Sequence, residues 1–255
     1  MINTPCYSMR ISIVTLILFF FFSSCKEAVI YDFKPITIQT EDFKECVDEQ
    51  CPTLFLDYFE LTSPKSLTET VNLTIKKQFI SQLVIDGQQS ETIQQAAEVY
   101  LNNSQTAYPE DSIMSAQHEL EMILTPTYTS DEVLSIQTNF YQFSGGAHGY
   151  GGVLFQNFNV KTGAEMTIPE LFKDVEAFTA FAKAEFRTQQ EIPDGASINS
   201  TGFMFEDDVF ALPENIGFTD EGMVLYYNSY EVSAYADGAQ EIIIPWETAE
   251  AYLSF

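Results

Sequence analysis

The sequence predicts an α+β fold, with antiparallel sheets, helices packed on them, and two intimately joined subdomains. Three observations carry this. Apolar residues recur every four positions at Leu67, Val71, Ile75, Phe79 and Leu83, which is the spacing of one helix face. From His118 to Asn159 apolar and polar residues alternate instead, and strands joined by short links pair antiparallel. A second helical stripe, Phe178, Phe181, Ala182 and Phe186, separates this region from further strand-like segments near the C-terminus. Sheet segments with helices set between groups of them point to α+β rather than to a parallel α/β design.

In chain order, residues 1–24 read as a signal peptide. Arg10 is the only charge before the apolar run Ile11 to Phe22, about 12 residues where a bilayer core needs roughly 20. Ser23-Ser24 directly precede Cys25, as small residues do at the processing site of bacterial lipoproteins. Phe22 stands where leucine is commoner, and an ordinary cleaved signal with an incidental cysteine is the alternative. On the lipoprotein reading Cys25 is the lipidated first residue. Residues 25–40 are then a tether leading into an extended segment, and the chain is anchored to a membrane without spanning it.

Residues 53–60 are aromatic-rich and read as a strand. Ser66 and Glu69 form a capping-box pattern ahead of the first helix, and Asp86-Gly87 is a stop signal. A second helix is expected from Glu91 to Leu101, using Ile93, Ala97, Tyr100 and Leu101. Three strands follow, at roughly 116–128, 133–144 and 152–160, closed by the turn Lys161-Thr162-Gly163. Thr167-Ile168-Pro169-Glu170 is a helix-start signal, and the Phe stripe lies on a helix from Val175 to Gln190. Residues 191–213 read as irregular. Ile216–Phe218 and Met223–Tyr227 flank Asp220-Glu221-Gly222 as a hairpin. Glu241–Trp246 is another strand, and Trp246 to Leu253 closes the chain as a short helix.

The 45% hydrophobic content excludes general disorder. Removing residues 1–24 takes Arg10 from the 11 basic residues, so ten face 37 acidic ones, a balance of −27. The acidic residues are dispersed rather than gathered in a tail. Nucleic-acid binding is excluded, because phosphate neutralisation needs clustered Lys and Arg. A field this negative attracts cationic partners; its other role is solubility. With Cys6 and Cys25 accounted for, Cys46 and Cys51 remain in an exported, oxidising setting and favour a disulfide. A zinc pair would need about four ligands, and only His118 and His148 are available to help. No motif for a cofactor or a metal site appears, and Asp207-Asp208 lacks the oxygen-rich spacing of a calcium loop.

One run stands out for chemistry: Tyr141-Gln142-Phe143-Ser144-Gly145-Gly146-Ala147-His148-Gly149, followed by Tyr150. An alternating strand breaks at adjacent glycines, which permit positive φ and close approach of another group. Ser144 and His148 lack a G-x-S-x-G elbow and an evident orienting acid, so the run suits a binding edge or a structural loop better than a catalytic site. Tyr226, Tyr227, Tyr230 and Tyr235 form a second cluster. Tyrosine offers rigid contact area with a polar tip, although alternate residues of a strand must face the core.

These segments resemble a tandem pair of bacterial envelope domains, DUF4163 and DUF3298. The run 141–149 is similar to the signature that ends the first domain. Thr167-Ile-Pro-Glu-Leu-Phe-Lys173 resembles the start of the second, and residues 215–246 resemble its end. The resemblance covers residues 50–253 and divides the chain into a DUF4163-like part, 41–160, and a DUF3298-like part, 161–255. Members of this family include the extracytoplasmic part of a lysozyme-sensing anti-sigma factor and the accessory module of a peptidoglycan deacetylase. This chain resembles the stand-alone lipoproteins of Bacteroidetes type. The anti-sigma segment and the catalytic deacetylase domain are not seen in it. The resemblance therefore implies a non-enzymatic envelope module that binds a protein or glycan: a cationic lysozyme-like hydrolase, or peptidoglycan. Tyr141, Gly145, Gly146, His148, Tyr150, Tyr226, Tyr227, Tyr230 and Tyr235 are the candidate binding residues.

Overall fold

The computed structural model describes residues 28–44, 51–84, 89–106 and 117–255. Cys25, Cys46 and the Asp86-Gly87 stop lie outside the described residues. Within them, strands β1 (Asp32–Gln39) and β2 (Thr53–Ser63) are followed by helices α1 (Lys65–Leu83) and α2 (Ile93–Thr106). Strands β3 (Glu119–Thr129), β4 (Val133–Phe143) and β5 (Tyr150–Asn159) come next. The short helix α3 (Ile168–Leu171) and the long α4 (Val175–Gln189) lead to β6 (Asn215–Thr219), β7 (Gly222–Tyr227), β8 (Gln240–Pro245) and the one-turn helix α5 (Trp246–Ala249).

The first five strands form one sheet in the order β1-β2-β3-β4-β5, and the last three form a second sheet, β6-β7-β8. All neighbours pair antiparallel except β2 and β3, which run parallel from Thr53 opposite Glu119 to Asp57 opposite Ile123. The α1–α2 connection causes this departure from the expected antiparallel order, since a two-helix crossover returns the chain to the starting end of the sheet. A second departure concerns β1. Asp32–Gln39 lies within the stretch read as a tether, yet it pairs with β2 along the strand.

The stripe Leu67, Val71, Ile75, Phe79 and Leu83 is wholly buried. It packs with Ala96, Ala97 and Tyr100 of α2 on Leu54, Leu56, Leu120, Met122, Leu134, Ile136 and Phe158 of the large sheet. Helix α1 starts after Pro64 rather than at a Ser66 cap. The Pro64 carbonyl accepts the Leu67 N–H (3.1 Å) and the Thr68 hydroxyl (3.1 Å), so Ser66 falls inside the first turn. The second core joins Phe178, Ala182 and Phe186 of α4 to Ile216, Phe218, Met223, Leu225, Tyr227, Ile242 and Ile244. At α3 the expected start signal is realised, with the Glu170 carboxylate accepting from the Thr167 N–H (2.7 Å) and hydroxyl (2.8 Å).

The two sheets are tied through their edges. The outer edge of β5 would expose backbone groups, but Asn215 Oδ1 accepts the Phe155 N–H (3.3 Å). Asn228 both accepts from the Val153 N–H and donates to its carbonyl, each at 2.8 Å. In return, Ser135 Oγ accepts the Phe218 N–H of β6 (3.1 Å), and Asn157 donates to the Ile216 carbonyl (2.7 Å). Gly217 lies against the Phe155 ring, where a Cβ could not fit. The sheets thus meet on the face of the large sheet away from α1 and α2, giving four layers in the order helices, large sheet, small sheet, helix.

Cys51 is buried and disulfide-bonded. Among the described residues no helix is long and apolar enough to cross a membrane.

Ser135→Ala is predicted to destabilise the fold by about 1–3 kcal/mol, the cost of leaving the buried Phe218 N–H without a partner. Urea denaturation checks this against exposed Ser144→Ala, where a change within about 0.5 kcal/mol is expected. Equal midpoints for the two variants would show that the β6 edge does not depend on Ser135.

Candidate functional site

The glycine corner and the tyrosine cluster are far apart in sequence and adjacent in space. The corner lies between β4 and β5, where Gly145 and Gly146 take φ of 91° and 99°, a region L side chains rarely occupy. The Tyr230 and Tyr235 side chains come from the loop joining β7 to β8 in the other half of the chain. His148 stacks on Tyr235 with ring centroids 4.5 Å apart and 21° between planes. Tyr235 stacks in turn on Tyr230 at 5.3 Å and 25°. The Gly149 carbonyl joins the two segments, since the Tyr235 hydroxyl donates to it at 3.3 Å and His148 Nδ1 lies 2.9 Å from it. On the other side of Gly149 lies the Tyr141 ring, so close that no Cβ would fit between them.

The outcome is a ladder of three rings, Tyr230, Tyr235 and His148, with Tyr141 beside it at Gly149. Tyr150 does not join it, because it pairs with Gln142 on the opposite face of the strands, which corrects its place among the candidates. The exposures are those of a surface: 56% for Tyr230, 39% for Tyr235, 39% for Tyr141 and 45% for Tyr150. Tyr150 also leans on Phe140, with centroids 5.7 Å apart. Tyr230 has φ of 73°. For a bulky side chain this is a strained conformation costing about 1–3 kcal/mol, of the kind that persists where surrounding contacts over-determine it. Glu231 is one such contact, accepting the Glu214 and Asn228 N–H groups at 2.9 Å each. Burial raises the Glu231 carboxyl above its usual range, against the pull of those two donors.

Tyr227 does not join the surface, which corrects its place among the candidates. It is 1% exposed, packs among Phe186, Phe205 and Phe210, and donates its hydroxyl to the Ala211 carbonyl (2.8 Å). The alternation of β7 explains this. Tyr227 faces α4, and Tyr226 faces the large sheet, beside Phe155. Burial raises the Tyr226 phenol, and its cross-strand neighbour Glu241 raises it further.

Next to the ladder the two sheets diverge and leave a cleft of about 290 Å³. Its floor comes from two cross-strand rows of the large sheet: Glu121, Tyr141 and Gly151, then Asn139 and Val153. Tyr226, Asn228 and Ser229 form the opposite wall. Glu121, Asn139 and Asn228 were not singled out from sequence, because each is an ordinary polar residue in a strand or turn. The signal that points to this region is the distribution of charge. Every segment that builds the ladder and the cleft falls in 78–160 or 188–255, and neither stretch contains a lysine or an arginine.

Ser144 is exposed at the corner, and the contacts of His148 are Tyr235 and the Gly149 carbonyl. Among the described residues no three His, Cys, Asp or Glu side chains converge as metal ligands. Asp208 accepts from the Ser197 hydroxyl and the Asn199 N–H, which holds its carboxyl below the usual range and makes it a loop-organising residue.

Gly149→Ala is predicted to push the Tyr141 ring aside and break the Tyr235 contact, at a cost of about 1–3 kcal/mol. The near-ultraviolet circular dichroism of the tyrosines should change while the far-ultraviolet spectrum stays. An unchanged near-ultraviolet spectrum would mean that the ring is not held there.

The comparisons with known proteins divide the chain at the same corner. Residues 48–150 match the family described as deacetylase PdaC, and residues 169–247 match the protein family of unknown function DUF3298. Among proteins of curated function, none matches the chain. In fold it is similar to a DUF3298 family member from Bacteroides fragilis NCTC 9343, with a TM-score of 0.66 and 17% identity over 89% of this chain and 94% of that one. It is likewise similar to a DUF3298 family protein from Pseudomonas aeruginosa PAO1, with a TM-score of 0.62 and 16% identity over 89% and 95%. The chain therefore joins a PdaC-like segment to a DUF3298-like segment in a fold that two DUF3298 proteins share over nearly their whole length.

Proposed function

We propose that this chain is a cell-envelope lipoprotein that binds a partner without cleaving it, and that the partner is a basic wall hydrolase of the lysozyme type. The observation that supports this best is the ring ladder Tyr230–Tyr235–His148, assembled from both halves of the chain on a surface whose segments contain no lysine or arginine. Exposed tyrosines in a fixed array are the residues that anchor protein interfaces. The surrounding carboxylates steer a cationic protein toward them. The PdaC-like segment does not extend this to deacetylation. Among the described residues no acidic side chain contacts Ser144 or His148, and His148 is held in the ladder.

The second reading is a peptidoglycan-binding accessory module. It is favoured by the same rings, which could stack on sugar faces, and by the name of the family matched by residues 48–150. Salt separates the two, because charge-driven association weakens with ionic strength and stacking does not.

Calorimetric titration with a hen-type lysozyme tests the first reading. Binding is expected at low salt, weaker at high salt, and reduced by Tyr230→Ala and Tyr235→Ala. No binding at low salt would remove this partner and leave the glycan reading ahead.

The anchor is proposed at Cys25, placing the protein on the periplasmic or outer-membrane face. Cells fed an alkyne fatty acid should label the wild type and not Cys25→Ala. Label retained by Cys25→Ala in the membrane fraction would overturn the anchor.

A further inference from the structure

We propose that the cleft where the two sheets diverge is an anchor pocket for a single basic side chain, lysine or arginine, carried by a protein partner. This rests on the reading of the partner as a basic protein and adds the place where one of its charges is held.

The divergence has a cause in the sequence. Along β4, the residues facing the small sheet are Ser135, Gln137, Asn139 and Tyr141. Ser135 is fully buried and bonded to β6. By Asn139 and Tyr141 the face is exposed, because the small sheet has ended in the Asn228–Ser229 turn. The last tie is Asn228 on Val153. One row further out, Gly151 has no side chain to fill the gap, which leaves the 290 Å³ cleft open.

The lining suits one ligand chemistry. The Tyr141 and Tyr226 rings stand on the two sides with Val153 between them, so an aliphatic stem finds apolar walls. Glu121 stands opposite Tyr141 on β3, and Glu241 stands opposite Tyr226 on β8. Each ring is therefore paired with a carboxylate, and a cation at the rings meets both the π faces and the negative charge. Long basic side chains have this division, an apolar stem with a charged head. An anion would meet the Glu121 carboxylate in the lining and the field of Glu241 just outside it, beside Tyr226, and the strands and turns that form the cleft contain no lysine or arginine to offset them. Glu132, by contrast, is already held by Lys161 at 2.8 Å, which leaves that acidic patch partly neutralised.

The experiment uses the full chain with tyrosine side chains isotopically labelled. Nα-acetyl-lysine methylamide and Nα-acetyl-arginine methylamide are titrated in while the Tyr141 and Tyr226 resonances are followed by NMR. Both probes should shift these two tyrosines, and Nε-acetylation of the lysine probe should abolish the shift. Glu121→Gln and Glu241→Gln should each weaken binding about fivefold, the scale of one partly screened ion pair with its cation–π contact. Equal shifts from the acetylated probe, or shifts produced only by N-acetylglucosamine oligomers, would overturn the proposal. In the lysozyme titration, wild-type binding that neither Glu→Gln change weakens would overturn the pocket and leave the partner reading intact. Failure of lysozyme to bind, with the basic probes still saturating the cleft, would uphold the pocket and remove only that partner.

Discussion

The structure depends on side-chain amides and hydroxyls that finish the edges of strands. A sheet edge carries unpaired N–H and C=O groups, and leaving such groups buried without partners costs as much as losing the hydrogen bonds. Here the buried edges are met by single side chains. Asn215 and Asn228 serve β5, Ser135 and Asn157 serve β6, and Asn72 takes both the N–H (2.8 Å) and the C=O (3.0 Å) of Leu61 where β3 no longer reaches β2. Gln189 of α4 reaches the Ile243 carbonyl of β8 (3.1 Å). Because the capping between β5 and β6 is reciprocal, neither sheet can shift without orphaning groups on the other. Hydrophobic contact between the sheets comes from Val153, Phe155, Val224 and Tyr226 at one end, and from Tyr128 and Val133 in the core around Phe218 at the other. Apolar contact holds the two halves together, and the directional polar ties fix their register.

That position makes the surface. The Asn228 tie lies beside both the ladder and the cleft. It holds the β7–β8 loop against β5, and the same loop carries Tyr230 and Tyr235 to His148. Glu231 reinforces it by accepting the Asn228 N–H. The surface proposed to bind is thus a consequence of how two sheet edges are closed, and neither half of the chain contains it alone.

The sequence makes the cores legible and the joint illegible. The α1 stripe is buried at all five predicted positions because a four-residue repeat has one physical meaning. The β6–β7 hairpin follows from Asp220-Glu221-Gly222 for the same reason. The parallel pairing of β2 with β3 is not legible, since alternation within a strand says nothing about the direction of its neighbour. Nor does the stretch 32–39 announce an edge strand, because its partner β2 is separated from it by an intervening segment and its own pattern is interrupted by Lys34 and Pro35. At the site, both segments are legible from their glycine and tyrosine content. Their meeting is not, because it rests on Asn215 and Asn228, which in sequence look like any turn asparagines. Strand alternation implies that one of Tyr226 and Tyr227 is inside, and only the register shows that it is Tyr227.

Charge and shape have separate tasks on this surface. Exposed ion pairs contribute only about 0–1 kcal/mol each and are screened by salt, so the acidic field would govern how fast the proposed basic partner arrives more than how long it stays. Residence has to come from groups that are already fixed when the partner reaches them, since ordering a flexible side chain costs about 0.5–1.5 kcal/mol on binding. The ladder meets that condition. Tyr235 is held between two rings and bonded to the Gly149 carbonyl, and Tyr230 is kept at a positive φ. The fold has met the ordering cost and the backbone strain in advance. A partner of the proposed kind would find the rings in place, and on that proposal the strain at Tyr230 makes sense as part of a preformed contact surface, where a relaxed loop would have to be ordered anew at each encounter.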